Sequence, residues 1–190
     1  MCTKRLYNIP IELSRSNDQM SHNYQKKIAV INDFCGFGRC SISVSLPIIS
    51  AMKIQCCPLP TSVFSNHTGY ESYYRTDYTE HMNAYMDEWE KLDLHFNGIL
   101  TGYLASPEQI DIVKRFLETF KTEKNVVVVD PVMGDHGKLY PTYAPALAER
   151  MRVLIAPENE IFIGSSSSSS DGGRTPIISL RFQIYVSIAR

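Results

Sequence analysis

The stretch NVVVVDPVMGDHGKLY, residues 125–140, sets four valines in a row and then turns at once to Asp130, Gly134, Asp135 and Gly137. A short apolar run of this kind reads as a strand buried on both faces, the pattern of a parallel sheet. Working outward, IAVIN (28–32), IQCCPLP (54–60) and FNGILTGY (96–103) read as three more strands. Helical spacing fills the intervals. RCSISVSLPIISAMK (39–53) places Ile42, Leu46, Ile49 and Met52 on one side, and DYTEHMNAYMDEWEKL (77–92) does the same with Tyr78, Met82, Tyr85 and Trp89. SPEQIDIVKRFLETFK (106–121) opens with Ser106 to cap and Pro107 for the first turn, and TYAPALAERM (142–151) starts a further helix. Pro47 lies inside the first helix, where proline costs about 3 kcal/mol, so a kink or break is expected there. Alternating strands and helices at this spacing mean βαβ units. The fold class is therefore α/β: a mostly parallel sheet with helices on both faces.

Composition narrows the function. The 190 residues are 44% hydrophobic and 21% charged with a formal net charge of -1, which favours neither a nucleic-acid surface nor another polyanion partner. No run of about 18 apolar residues offers a membrane span, and the first residues lack the apolar core of a signal peptide. The five cysteines include no CxxC pair and read as reduced thiols of a cytoplasmic protein. Residues 1–26 read as a polar arm, with Met20 an alternative start to Met1. Residues 27–156 carry the α/β pattern. Residues 157–190 read as an atypical tail containing SSSSSSDGG, a flexible low-complexity run.

In open parallel sheets, ligands bind outside the carboxyl ends of the strands. Four segments are expected there: NDFCGFG, TSVFSNHTGY, TGYLAS and DPVMGD. Asp130 and Asp135 fit a magnesium and phosphate site with Gly134 opening the backbone to an anion, or else a solvated turn. NDFCGFGRCS is similar to a glycine-rich phosphate loop but has Ser41 where a dinucleotide fingerprint needs its third glycine. Asp33 could accept a hydrogen bond from a polar ligand or cap the helix that follows. His67, Thr68 and Tyr70 could wall a flat heteroaromatic ligand, or form a turn that satisfies its own backbone. Tyr103 could reach the same pocket or only pack in the core. Neither a GxSxG elbow nor a Walker loop is present.

INDFCGFGRCS, FSNHTGY, LTGYLAS and VDPVMGD…GKLY occur in one order over roughly residues 27–155. Together they resemble the pyridoxal kinase family of the ribokinase-like superfamily. The resemblance implies a ribokinase-like fold and transfer of the ATP γ-phosphoryl group to the 5′-hydroxymethyl of a B6 vitamer. It implies vitamin contacts from Asp33, His67, Thr68 and Tyr103, ATP and phosphate contacts from Asp130 and Tyr140, Mg2+ at Asp130 and Asp135, and a homodimer. Two other readings accompany it: a non-catalytic vitamin-binding or dimerising remnant, and a hydroxymethylpyrimidine kinase. The family's later Asn-x-x-Glu segment and Gly-x-Gly-Asp turn, whose aspartate is the base, are not matched. Asn159 and Glu160 are adjacent, and SDGG around Asp171 has another order. The fold is therefore expected to be incomplete towards the C-terminus, as from a truncated or frameshifted copy, and no catalytic base is assigned.

Overall fold

A computed structural model describes residues 24–130, Val132, Arg150, and the backbone of 134–135, 138–139 and 162–163. Its elements are β1 (Lys27–Phe37), α1 (Ser41–Ala51), β2 (Gln55–Asn66), β3 (Arg75–Asp77), α2 (Thr79–Lys91), β4 (Gly98–Thr101), α3 (Pro107–Phe120), β5 (Val126–Val129), β6 (Gly134–Asp135), β7 (Lys138–Leu139) and β8 (Phe162–Ile163). Six strands form one sheet in the order β3-β2-β1-β4-β5-β8. All pairings in it are parallel except that of the edge strand β3 with β2. The α/β reading, a mostly parallel sheet with helices on both faces, holds. The helix expected at 142–151 lies outside the described residues apart from Arg150, which is helical. Phe162 and Ile163, in the stretch assigned from sequence to the tail, pair with Val128 and Val129.

Strand alternation divides the core. Ala29, Ile31, Leu59, Ile99, Val127 and Val129 face α2 and α3, where Met82, Met86, Ile110, Val113 and Phe116 close the layer. Ile28, Val30, Leu100 and Val128 face the other way, onto Ile42 and Ile49 of α1. Residues of period two thus meet residues of period about 3.6 on both sides of the sheet. The expected break at Pro47 does not occur: α1 runs through it. Pro47 is exposed, so the carbonyl it leaves without a partner is on the solvent side, where water can serve it.

Two strand boundaries differ from expectation, and the difference shapes the site. β1 was expected to end at Asn32 and β2 at Pro60, followed by loops. Instead they pair with each other through Phe37 and Asn66. β4 covers β1 only from Ile28 to Ile31, so the far parts of β1 and β2, edged by β3, project as a ribbon beyond the sheet. The register slips between Asn32 and Phe34, where Thr61 and Ser62 oppose Asp33, a bulge that bends such ribbons. NDFCGFG is therefore mostly strand and not a phosphate loop. A Cβ on Gly36 would come 3.0 Å from the Ser65 carbonyl oxygen, so this glycine permits close strand approach.

Candidate active site at the carboxyl edge of the sheet

The edge is organised by Asn32, a residue the sequence reading did not single out. β4 stops at Thr101, and the Gly102 N–H donates to the Ile31 carbonyl at 2.8 Å. Asn32 Oδ1 then accepts from the N–H groups of Asp33 at 2.9 Å and Tyr103 at 2.8 Å. Both backbones are thereby fixed by one buried amide. A Cβ on Gly102 would lie 2.3 Å from Asn32 Nδ2, so the amide fits only over a glycine. The GY of TGYLAS carried that signal.

Further buried groups hold the loop after β4. Thr61 Oγ1 donates to the Tyr103 carbonyl at 2.8 Å. Gln109, fully buried at the start of α3, accepts from the Ala105 N–H at 2.7 Å and donates to the Thr61 carbonyl at 2.8 Å and to Thr79 Oγ1 at 2.9 Å. Ser106 occupies the cap position of α3 without a capping hydrogen bond from its side chain. Thr61→Val keeps the shape but leaves the buried Tyr103 carbonyl short of a donor. The expected loss is about 1–3 kcal/mol of unfolding free energy, read by urea titration.

One face of the ribbon overhangs this edge. Cys35, Phe64 and Arg75 are in register across β1, β2 and β3, so their side chains share a face. Tyr103 lies against it: its ring is 6.0 Å from that of Phe64, and its hydroxyl accepts from Arg75 Nη1 at 3.1 Å. Cys35, Phe64 and Tyr103 form a small buried cluster with Cys40, Ala105 and Val132 packed around it. Burial, with the Cys35 thiol alongside, pushes the Cys40 thiol up to about 12. The cysteines among the described residues are all free.

The structure brings three of the expected residues to this edge. Asp33, on β1 within the bulge, is buried, as are Tyr103 after β4 and Asp130 after β5. These strands are neighbours, spaced about 4.8 Å apart. The Asp130 N–H donates to the Thr101 carbonyl at 3.3 Å, and its own carbonyl accepts from the Val132 N–H at 2.8 Å. His67 and Thr68 stand elsewhere, past the ribbon's far end, where the His67 N–H bonds the Phe37 carbonyl at 2.9 Å. His67 Nδ1 accepts from the Gly69 N–H at 2.9 Å, the self-satisfied turn that the sequence also allowed. Thr68 is exposed. An open depression of about 510 Å3 beside this turn is lined by Phe37, Ser65, Asn66, Tyr70, Glu71 and Ser72. Phe37, Ser65, Tyr70, Glu71 and Ser72 are exposed there, whereas Asp33, Tyr103 and Asp130 at the edge are buried. Asp135 is described only as backbone, paired with Lys138 in a hairpin with β7. Tyr140 and Asp171 lie outside the described residues.

No family model matches the chain. The pyridoxal kinase of Arabidopsis thaliana is 34% identical over 87 residues, which cover 44% of this chain and 28% of that protein. A Bacteroides thetaiotaomicron protein provisionally named a phosphomethylpyrimidine kinase, crystallised with pyridoxal, matches at a TM-score of 0.67 and 46% identity over 69% of this chain and 46% of that one. The crystal structure of pyridoxal kinase from Lactobacillus plantarum matches at a TM-score of 0.66 and 30% identity, covering 74% of this chain and 50% of that one. The chain thus spans half or less of the length of these relatives. The relatives in sequence and in structure point to one family, the pyridoxal kinases of the ribokinase-like fold.

Proposed function

We propose that the carboxyl edge binds a B6 vitamer and belongs to an ATP-dependent kinase acting on the vitamer's 5′-hydroxymethyl group. The observation that carries this reading is the convergence of buried Asp33, Tyr103 and Asp130 on three neighbouring strands beneath an aromatic ribbon face. An aromatic wall with a few fixed polar groups suits a flat pyridine ring, and the Bacteroides relative was crystallised with pyridoxal. Asp33 and Tyr103 are the vitamin contacts at the edge. Asp130 and Tyr140 serve the ATP phosphates.

Mg2+ prefers carboxylate oxygen, water and phosphate oxygens. Asp130 offers one buried carboxylate at the strand end, and Asp135 follows in the hairpin. Among the described residues no three acidic, histidine or cysteine side chains cluster as a complete cage. Water and nucleotide oxygens would fill the remaining positions. The ion would neutralise phosphate charge during transfer. The chain's own contribution is positioning: Asn32, Thr61 and Gln109 fix the loop that presents Tyr103. No helix among the described residues is long and apolar enough to cross a membrane. We place the protein in the cytoplasm, as a homodimer.

The test is formation of pyridoxal 5′-phosphate from pyridoxal and Mg-ATP by the purified chain above a boiled control. Binding of pyridoxal without turnover would assign the non-catalytic reading. The Bacteroides relative is named for a phosphomethylpyrimidine, so a pyrimidine kinase is the second reading; hydroxymethylpyrimidine should compete with pyridoxal less well than pyridoxine does. Stronger competition by the pyrimidine would reverse the assignment.

A further inference from the structure

Arg75 begins β3, the antiparallel edge strand that the sequence pattern did not announce. It is half-buried, and one guanidinium N–H is used on Tyr103 Oη at 3.1 Å. A guanidinium has five N–H donors and no acceptor. Among the described residues no carboxylate lies within ion-pair distance of Arg75. The acid nearest in sequence, Asp77, is engaged by the N–H of Thr79 at 2.8 Å and by its hydroxyl at 2.5 Å. The Arg75 side chain shares the ribbon face of Cys35 and Phe64, against which Tyr103 packs. Arg75, in register with Phe64 and bonded to the Tyr103 hydroxyl, still has N–H donors to spend. Burial makes an anion the favourable acceptor, because charge-assisted bonds are the strong ones.

We infer that Arg75 is a ligand-binding residue: it orients the Tyr103 hydroxyl and offers its remaining N–H groups to an anionic oxygen of the aromatic ligand. The inference rests on the pocket reading above. Two oxygens of a B6 vitamer have the required chemistry, the ionised 3-oxygen of the ring and the ester phosphate of the product.

Equilibrium dialysis of the full chain with pyridoxal, pyridoxal 5′-phosphate and the 3-O-methyl ether of pyridoxal separates them. Wild type is expected to bind pyridoxal at least about tenfold more tightly than the ether. Arg75→Met removes that preference, Arg75→Lys restores part of it, and the absorbance band of the ionised 3-oxygen in bound pyridoxal weakens in Arg75→Met. A loss seen with pyridoxal 5′-phosphate alone assigns the phosphate as the anion and still supports an anion-binding Arg75. Equal affinity of wild type for pyridoxal and its ether, together with unchanged binding of the phosphate by Arg75→Met, overturns the inference and leaves the pocket intact. Failure of wild type to bind any of the three overturns both. The comparison of pyridoxal with its ether needs no variant, so it stands even where Arg75→Met does not fold.

Discussion

Gly102→Ala is expected to lower the unfolding free energy by about 2–6 kcal/mol and to abolish binding at the carboxyl edge. The added Cβ would sit 2.3 Å from Asn32 Nδ2 and 2.5 Å from Asn32 Oδ1. The Asn32 amide must leave, and with it go the acceptor of the Asp33 N–H and the acceptor of the Tyr103 N–H. Each buried donor left unpaired costs about 1–3 kcal/mol, and two are at stake. The same displacement releases two of the proposed ligand contacts at once. Urea unfolding measures the first effect and pyridoxal binding the second. Near-wild-type stability would show that Asn32 has another place to go and does not organise the edge.

Phe116→Ala is expected to cost about 3–5 kcal/mol by the same titration. Phe116 is wholly buried on α3. Its ring lies 4.7 Å from Phe120, 5.9 Å from Phe96 and 6.3 Å from Trp89. Truncation empties the centre of the layer between α2, α3 and the sheet, and close-packed neighbours fill such a void only in part. Because the site is built at the strand ends and not in this layer, pyridoxal affinity of the folded fraction should stay near wild type. A cost below about 1 kcal/mol would mean that the aromatic cluster collapses freely.

What the sequence disclosed follows from which signals are local. The unbroken apolar run Val126–Val129 and the apolar spacing of α3 are local signals, and they pointed to the parallel sheet and its helical layers directly. The ribbon was hidden because Gly36 and the polar Ser65 and Asn66 look like loop. They are strand only because β1 and β2 supply each other's hydrogen bonds past the point where β4 stops. β3 is three residues long, too short to show alternation, so Arg75 escaped notice. Asp33, Tyr103 and Asp130 were legible because each follows or interrupts an apolar run at the edge where ligands bind. Asn32 and Gln109 were not, since their partners lie 71 and 48 residues away. His67 and Thr68 were grouped with Tyr103 as parts of one polar and aromatic pocket wall; β2 runs on to Asn66 and carries them to the ribbon tip.

Amide hydrogen exchange of the whole chain with and without saturating pyridoxal tests the placement of the pocket most directly. Slower exchange at residues 33–35 and 102–105 on addition of the vitamer is the result expected of a ligand seated between the strand ends and the inner face of the ribbon. Protection confined to residues 70–72, beside the open depression at the far turn, with 33–35 and 102–105 unchanged, would contradict it.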